Sequence, residues 1–114
     1  AFRLIFLINF MRKIKLFSLF LKGHDDEITL IAPKQVEQLK NHKIIQITAS
    51  RNNTYFLSSE GIVFSCGTNE FKQLGQPGIE KSLSPKPINL GKRLKGASIK
   101  QIECSRFHCV LLTN

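Results

Sequence analysis

Two short apolar runs, Tyr55 to Leu57 and Ile62 to Phe64, flank the polar tetrapeptide Ser58-Ser59-Glu60-Gly61. Both runs are rich in aromatic and β-branched residues, and the tetrapeptide ends in glycine. That pattern predicts two strands joined by a turn at Ser59 to Gly61. Gly67, Asn69 and Gly75 then punctuate an exit loop whose large apolar residues are Phe71 and Leu74. The loop is expected to fold back and pin those two side chains against the hairpin.

The same texture continues on either side. Ile44 to Ala49 and Cys109 to Leu112 read as further strands, and Ile28 to Ala32 is another short apolar run. Pro33 to Leu39 carries Val36 and Leu39 three apart behind a proline, which suits either one turn of helix or an extended connector. The chain therefore reads as all-β apart from that segment. Its expected core is Ile45, Ile47, Tyr55, Leu57, Val63, Phe64, Leu74, Ile102, Cys104, Val110 and Leu112, with alternation along the strands leaving some on an outer face.

Length and composition bound the reading. A chain of 114 residues holds one domain at most, and 42% hydrophobic residues suffice for a core. The formal charge is +9, but residues 1 to 24 hold five basic residues and no acid. Clustered aromatics interleaved with Arg and Lys are missing, so binding of nucleic acid or chromatin by this segment alone is not expected. Lys92, Arg93 and Lys95 form the tight basic cluster of the second half, for which a solvated loop is the plainer reading. Cys66, Cys104 and Cys109 are odd in number and lack Cys-x-x-Cys spacing, which argues against a disulfide framework or a zinc site and for reduced thiols in an intracellular setting, cytoplasmic or nuclear. His108 beside Cys109 invites a metal or nucleophile reading. Neighbours on a strand point to opposite faces, however, and buried, inert cysteines are expected instead.

Residues 1 to 22 form a separate basic, apolar segment, with 23 to 114 as the structured remainder. Leu4 to Ile8 is apolar throughout, Leu16 to Leu21 is apolar apart from Ser18, and Arg12, Lys13 and Lys15 separate them. Neither run approaches the ~18 residues that span a bilayer. The segment resembles an organelle-import leader or a membrane-surface helix, and the remnant of a preceding structural unit is the alternative. A start at Ala1 rather than Met is what a processed or truncated product would show, or a sequence whose first residues are not the natural start.

An internal repeat organises the rest. Displacement by 55 residues lays Ile44 to Ser58 onto Ile99 to Thr113, and six of the fifteen pairs are identical: Ile44/Ile99, Gln46/Gln101, Ile47/Ile102, Ser50/Ser105, Arg51/Arg106 and Leu57/Leu112. At a displacement of 52, Pro33-Lys34-Gln35-Val36 falls on Pro85-Lys86-Pro87-Ile88, and Gly23 on Gly75. A period near 50 built from short strands and glycine turns indicates stacked β units of the propeller-blade type.

The order of residues in the unit resembles the repeat of the regulator of chromosome condensation family, in which a Leu-Thr/Ser-x-x-Gly hairpin leads to a Trp-Gly-x-Asn-x-x-Gly-Gln-Leu-Gly loop. Gly61, Gly67, Asn69, Gln73, Leu74, Gly75 and Pro85 match that pattern, and His108, Leu112 and Thr113 match in the next unit. The resemblance covers residues 23 to 114, one full repeat and parts of two others. Departures are Ser50 and Ser105 for glycine, Asn53 for histidine, Cys66 for tryptophan and Lys72 for glycine. At that last position glycine commonly supplies a positive φ that a lysine adopts at a cost of about 1 kcal/mol.

The resemblance implies an incomplete, open propeller fragment, since the family closes about seven blades into a ring. It also implies a protein partner, because family members are interaction modules attached to ubiquitin ligases, signalling, ciliary or mitochondrial factors, or exchange factors for the small GTPase Ran. The first expectation is a non-enzymatic interaction module, with loops such as Gly75 to Ser84 carrying specificity and Lys72, Lys92, Arg93 and Lys95 as basic loop residues facing a partner. The alternative is a guanine nucleotide exchange factor for a small GTPase, and a third reading is a membrane-associated or organelle-imported product dominated by residues 1 to 22. Arg51 and Arg106 are expected to be solvated turn residues. Asp25, Asp26 and Glu27 are contiguous, and neither a phosphate-binding glycine loop nor a Ser/His/Asp set occurs, so no catalytic residue, metal ligand or cofactor is assigned.

Overall fold

A computed structural model describes residues 36–114. The proposed boundary between 22 and 23, the segment before it and the run Ile28 to Ala32 lie outside the described residues. Of the two readings of Pro33 to Leu39, the described part takes the helical one, as a single 3-10 turn, Glu37–Leu39. Six strands follow: β1 (Ile44–Ala49), β2 (Asn53–Ser58), β3 (Val63–Thr68), β4 (Lys81–Pro87), β5 (Ile99–Cys104) and β6 (Cys109–Thr113). The first four form an antiparallel sheet in the order β1-β2-β3-β4, and β5-β6 form a separate antiparallel pair. The architecture is all-β, made of propeller-blade-type units left open.

The 55-residue repeat is a repeat of register as well as of sequence. Gln46 faces Leu57 and Ile47 faces Phe56 in the first unit; Gln101 faces Leu112 and Ile102 faces Leu111 in the second. Both first strands shift register at the same place, between Ile44 and Gln46 and between Ile99 and Gln101. The extra residue of such a bulge leaves the pairing pattern. Ile45, expected in the core, is accordingly 49% exposed, and Lys100 occupies the equivalent position.

Alternation along β2 and β3 sends side chains to two separate cores. Phe56, Phe64 and Cys66 join Ile47, Val36 and Leu39 on one face. Tyr55, Leu57 and Val63 meet Ile99 and Ile102 of the second unit on the other, with Ile88, Leu90, Cys104, Cys109 and Leu111 around them. The first sheet is thus covered on both faces, and every residue of β2 is buried. The second unit is covered on one. Val110 (68% exposed) and Leu112 (52%), also expected in the core, lie opposite in face to Cys109 and Leu111 and so point away from the first sheet. They are the equivalents of Tyr55 and Leu57, which the second unit covers.

The β2–β3 turn lies where the sequence puts it. Gly61 N–H bonds the Ser58 carbonyl, and Ser58 N–H the Ile62 carbonyl. β3 begins one residue later than expected, leaving Ile62 outside the strand and partly exposed. Gly61 has a φ of 79°, and a Cβ built there would stand 2.2 Å from Ser98 Oγ. Its carbonyl accepts from Ile99 N–H, so the turn of one unit abuts the first strand of the next.

Candidate interaction surface

The exit loop after β3 is held by buried side-chain amides. Asn69 Nδ2 donates to the carbonyls of Gln76 (3.0 Å) and Ile79 (2.8 Å), while its Oδ1 accepts from Leu74 N–H (2.9 Å). Gln76 Nε2 reaches the carbonyl and hydroxyl of Ser65, both at 2.8 Å. Ser65 Oγ in turn donates to the Leu74 carbonyl, and Tyr55 Oη to that of Gln73. A loop must pair its buried backbone groups somewhere, and here three amide side chains take the place of a neighbouring strand. Asn53, at the histidine position of the family pattern, is buried; its Nδ2 donates to the Thr68 carbonyl and its Oδ1 faces Gln73 Nε2 at 3.5 Å. Gln73 Oε1 accepts from Phe71 N–H.

The glycines of the motif have steric reasons to be there. Gly67 has a φ of 118°, and a Cβ would lie 2.0 Å from the Asn52 carbonyl oxygen. Gly75 (φ 62°) passes Ile88 and accepts from Asn89 N–H at its carbonyl. Lys72, on the family's glycine, adopts a φ of 60°, the sole positive φ among the described non-glycine residues. Leu74 is fully buried, as expected, and Pro85 is buried within β4. His108 lies exposed in the β5–β6 turn, its N–H donating to Ser105 Oγ.

Phe71 is not pinned against the hairpin: it is 58% exposed and stacks edge-on against Phe107 of the second unit, with ring centroids 4.9 Å apart. The Arg106 guanidinium lies 5.0 Å from the Phe107 ring centroid. Arg51 and Arg106 are both exposed turn residues, as expected, and Arg106 also stands in this aromatic patch. The Arg-Phe step was visible in the sequence, but its partner Phe71 is 36 positions away and only the stacking of units brings the two together.

The four basic loop residues do not form one surface. Lys72 lines a concavity with Glu70, Glu80 and Lys81 where β3 ends and β4 begins. Lys92 and Lys95 line another with Ile88, Leu90 and Gly96, between the end of β4 and the start of β5. Because β3 and β4 are antiparallel, these two places lie at opposite ends of the sheet. Arg93 is exposed in the second turn. Glu70 and Glu80 flank Lys72 and offset its charge locally.

Among the described residues no three His, Cys, Asp or Glu side chains converge to hold a metal, and no helix is long and apolar enough to cross a membrane. Cys66 is buried, and burial pushes its thiol up to about 12. Burial also raises the Tyr55 hydroxyl far above its ordinary value. The other two cysteines depart from the buried expectation: both are half-buried, and they face one another across β5 and β6.

Two profiles of the regulator of chromosome condensation repeat match the chain, one over residues 60–112 and one over 44–73. The chain belongs to the regulator of chromosome condensation repeat family. It is 38% identical over 92 residues to a protein named inhibitor of Bruton tyrosine kinase from Xenopus laevis, a match covering 80% of this chain and 7% of that one. Human E3 ubiquitin-protein ligase HERC2 is 38% identical over 93 residues (80% and 2%), and the ultraviolet-B receptor UVR8 of Arabidopsis thaliana 35% identical over 92 (80% and 20%). The chain therefore spans a small part of the length of these relatives. Human WBSCR16 shares the fold, with a TM-score of 0.54 at 24% identity over 64% of this chain and 18% of that structure.

Proposed function

We propose that this segment is a non-catalytic protein-binding module acting inside the cell, and that it contacts its partner through the rim where Phe71, Phe107 and Arg106 meet. The observation that carries the reading is that patch. Two aromatic rings and a guanidinium stand exposed on adjacent units, and protein interfaces concentrate their binding energy in aromatic and arginine side chains of this kind. Their geometry is pre-set, since the amide network of Asn69, Gln73 and Gln76 fixes the loop carrying Phe71, which reduces the ordering cost of binding. Relatives named for inhibiting a kinase or ligating ubiquitin support a protein as the partner class.

The test is affinity purification of the full natural chain from cells, quantified against a Phe71→Ser, Phe107→Ser variant and a Lys92→Ala, Arg93→Ala, Lys95→Ala variant. The first variant should lose at least one specific protein about tenfold, the usual effect of removing an interface anchor, while the second retains it. Identical retention by all three proteins would remove the rim from the interface. Acceleration of guanine nucleotide release from a small GTPase by the purified chain would replace the module reading with exchange.

A further inference from the structure

Cys104 ends β5 and Cys109 begins β6, and the register sets the two directly opposite each other. The next pair outward, Ser105 and His108, is bonded through Ser105 N–H to the His108 carbonyl at 2.8 Å. Hydrogen-bonded and non-hydrogen-bonded pairs alternate along an antiparallel ladder, so Cys104 and Cys109 occupy a non-hydrogen-bonded pair, the kind whose Cα atoms approach to about 4.5 Å. A disulfide accepts Cα separations of about 4.4 to 6.8 Å. Both side chains point to the same face, toward the first unit, where they border the apolar cluster of Tyr55, Leu57 and Ile102. Cys104 Sγ also lies 3.5 Å from Thr48 Oγ1. In the first unit the equivalent pair is Ala49 and Thr54, so the thiol pair is a feature of the second unit alone.

We propose that Cys104 and Cys109 form a peroxide-sensitive dithiol that closes reversibly into a cross-strand disulfide. Cys109 is the attacking group. The Cys104 thiol facing it lowers the Cys109 thiol from its ordinary value, and the same pairing, together with burial, holds Cys104 protonated. The Cys109 thiolate attacks one oxygen of hydrogen peroxide, and the O–O bond breaks to give the sulfenic acid and hydroxide. Cys104 then attacks the Cys109 sulfur and expels the hydroxyl group. Protons released by the two thiols convert both hydroxides to water, so two thiols and one peroxide yield one disulfide and two waters. The product staples a two-stranded pair that is covered on one face and has little intrinsic stability. Cys66, fully buried with its thiol raised, is the internal control.

The reduced chain is treated with hydrogen peroxide, free thiols are blocked, and the product is digested with trypsin without reduction. Arg106 lies between the two cysteines, so cleavage after it separates residues 101–106 from 107–114 and reports the bond as a linked pair. The expected result is a linked 101–106/107–114 species, a mass loss of 2 Da in the intact monomer, reversal by dithiothreitol, and, in the reduced chain not exposed to peroxide, blocking of Cys66 at least about tenfold slower than of Cys109. Cys66→Ser should keep the 2 Da loss and Cys109→Ser should abolish it. Unlinked peptides bearing separate higher oxides, or an oxidised species linked through Cys66, would overturn the proposal on the wild-type chain alone, whatever the variants do.

Discussion

The Gln46 carboxamide makes a two-point bond to the backbone of Ile102: its Nε2 donates to the Ile102 carbonyl at 2.5 Å and its Oε1 accepts from the Ile102 N–H at 3.1 Å. A side chain of the first unit thereby pairs the main chain of the second as a strand would. Gln46→Leu leaves both Ile102 groups unpaired in a part-buried place, at a cost of about 2 kcal/mol. Chemical denaturation should show the midpoint falling by that amount, and hydrogen exchange should speed up first at Ile102. An unchanged midpoint would mean that water replaces the amide at no cost.

Lys72 tests the backbone of the exit loop. Restoring glycine at its φ of 60° should raise stability by about 1 kcal/mol. Lys72→Ala should not, because alanine carries the same Cβ. If both variants gain equally, the lysine charge rather than the dihedral is the source of the cost.

Thr54 Oγ1 is buried without a hydrogen-bond partner. Thr54→Val exchanges that hydroxyl for a methyl group of similar size and should stabilise the chain by about 1 kcal/mol in thermal or urea unfolding. Destabilisation would indicate a partner for the hydroxyl that forms only in solution.

Asn69→Ala removes three hydrogen bonds from the buried loop and should cost about 3 kcal/mol or more, since each orphaned group keeps its desolvation penalty. Asn69→Asp retains the acceptor for Leu74 N–H but turns a carboxylate oxygen toward the carbonyls of Gln76 and Ile79. It should be destabilised at neutral pH and recover partly as the pH falls and the carboxyl regains a proton it can donate. A flat stability profile from pH 7 to 4 would disprove that repulsion.

The strands β1, β2, β3, β5 and β6, the turn at Gly61, the repeat and its family were legible because each rests on residues close in sequence or on identities at a constant displacement; β4 was not, because Pro85 and Pro87 argue against a strand and Gly75 to Ser84 reads as a loop. The errors have a common cause. Ile45 looks like a core residue in any alternation pattern, and only the register shift, a property of the β1–β2 pair, moves it to solvent. Val110 and Leu112 share their pattern with Tyr55 and Leu57 and differ in what covers them. The candidate site was less legible still. Phe71, Phe107 and Arg106 meet through the packing of one unit on the next, and Cys104 and Cys109 through strand register, whereas the basic residues singled out by charge density are divided between two ends of the sheet.

Gly61 grips the start of β5 by its carbonyl, and Gln46 grips the same strand three residues further on. Both attachments are to main-chain atoms of the second unit, the N–H groups of Ile99 and Ile102 and the Ile102 carbonyl, so the pitch between neighbouring units rests on atoms that every residue but proline possesses. Side chains away from those two attachments can differ from unit to unit over one main-chain frame, as Val110 stands at the place of Tyr55. A lineage can rewrite such a surface for new partners while its frame stays the same.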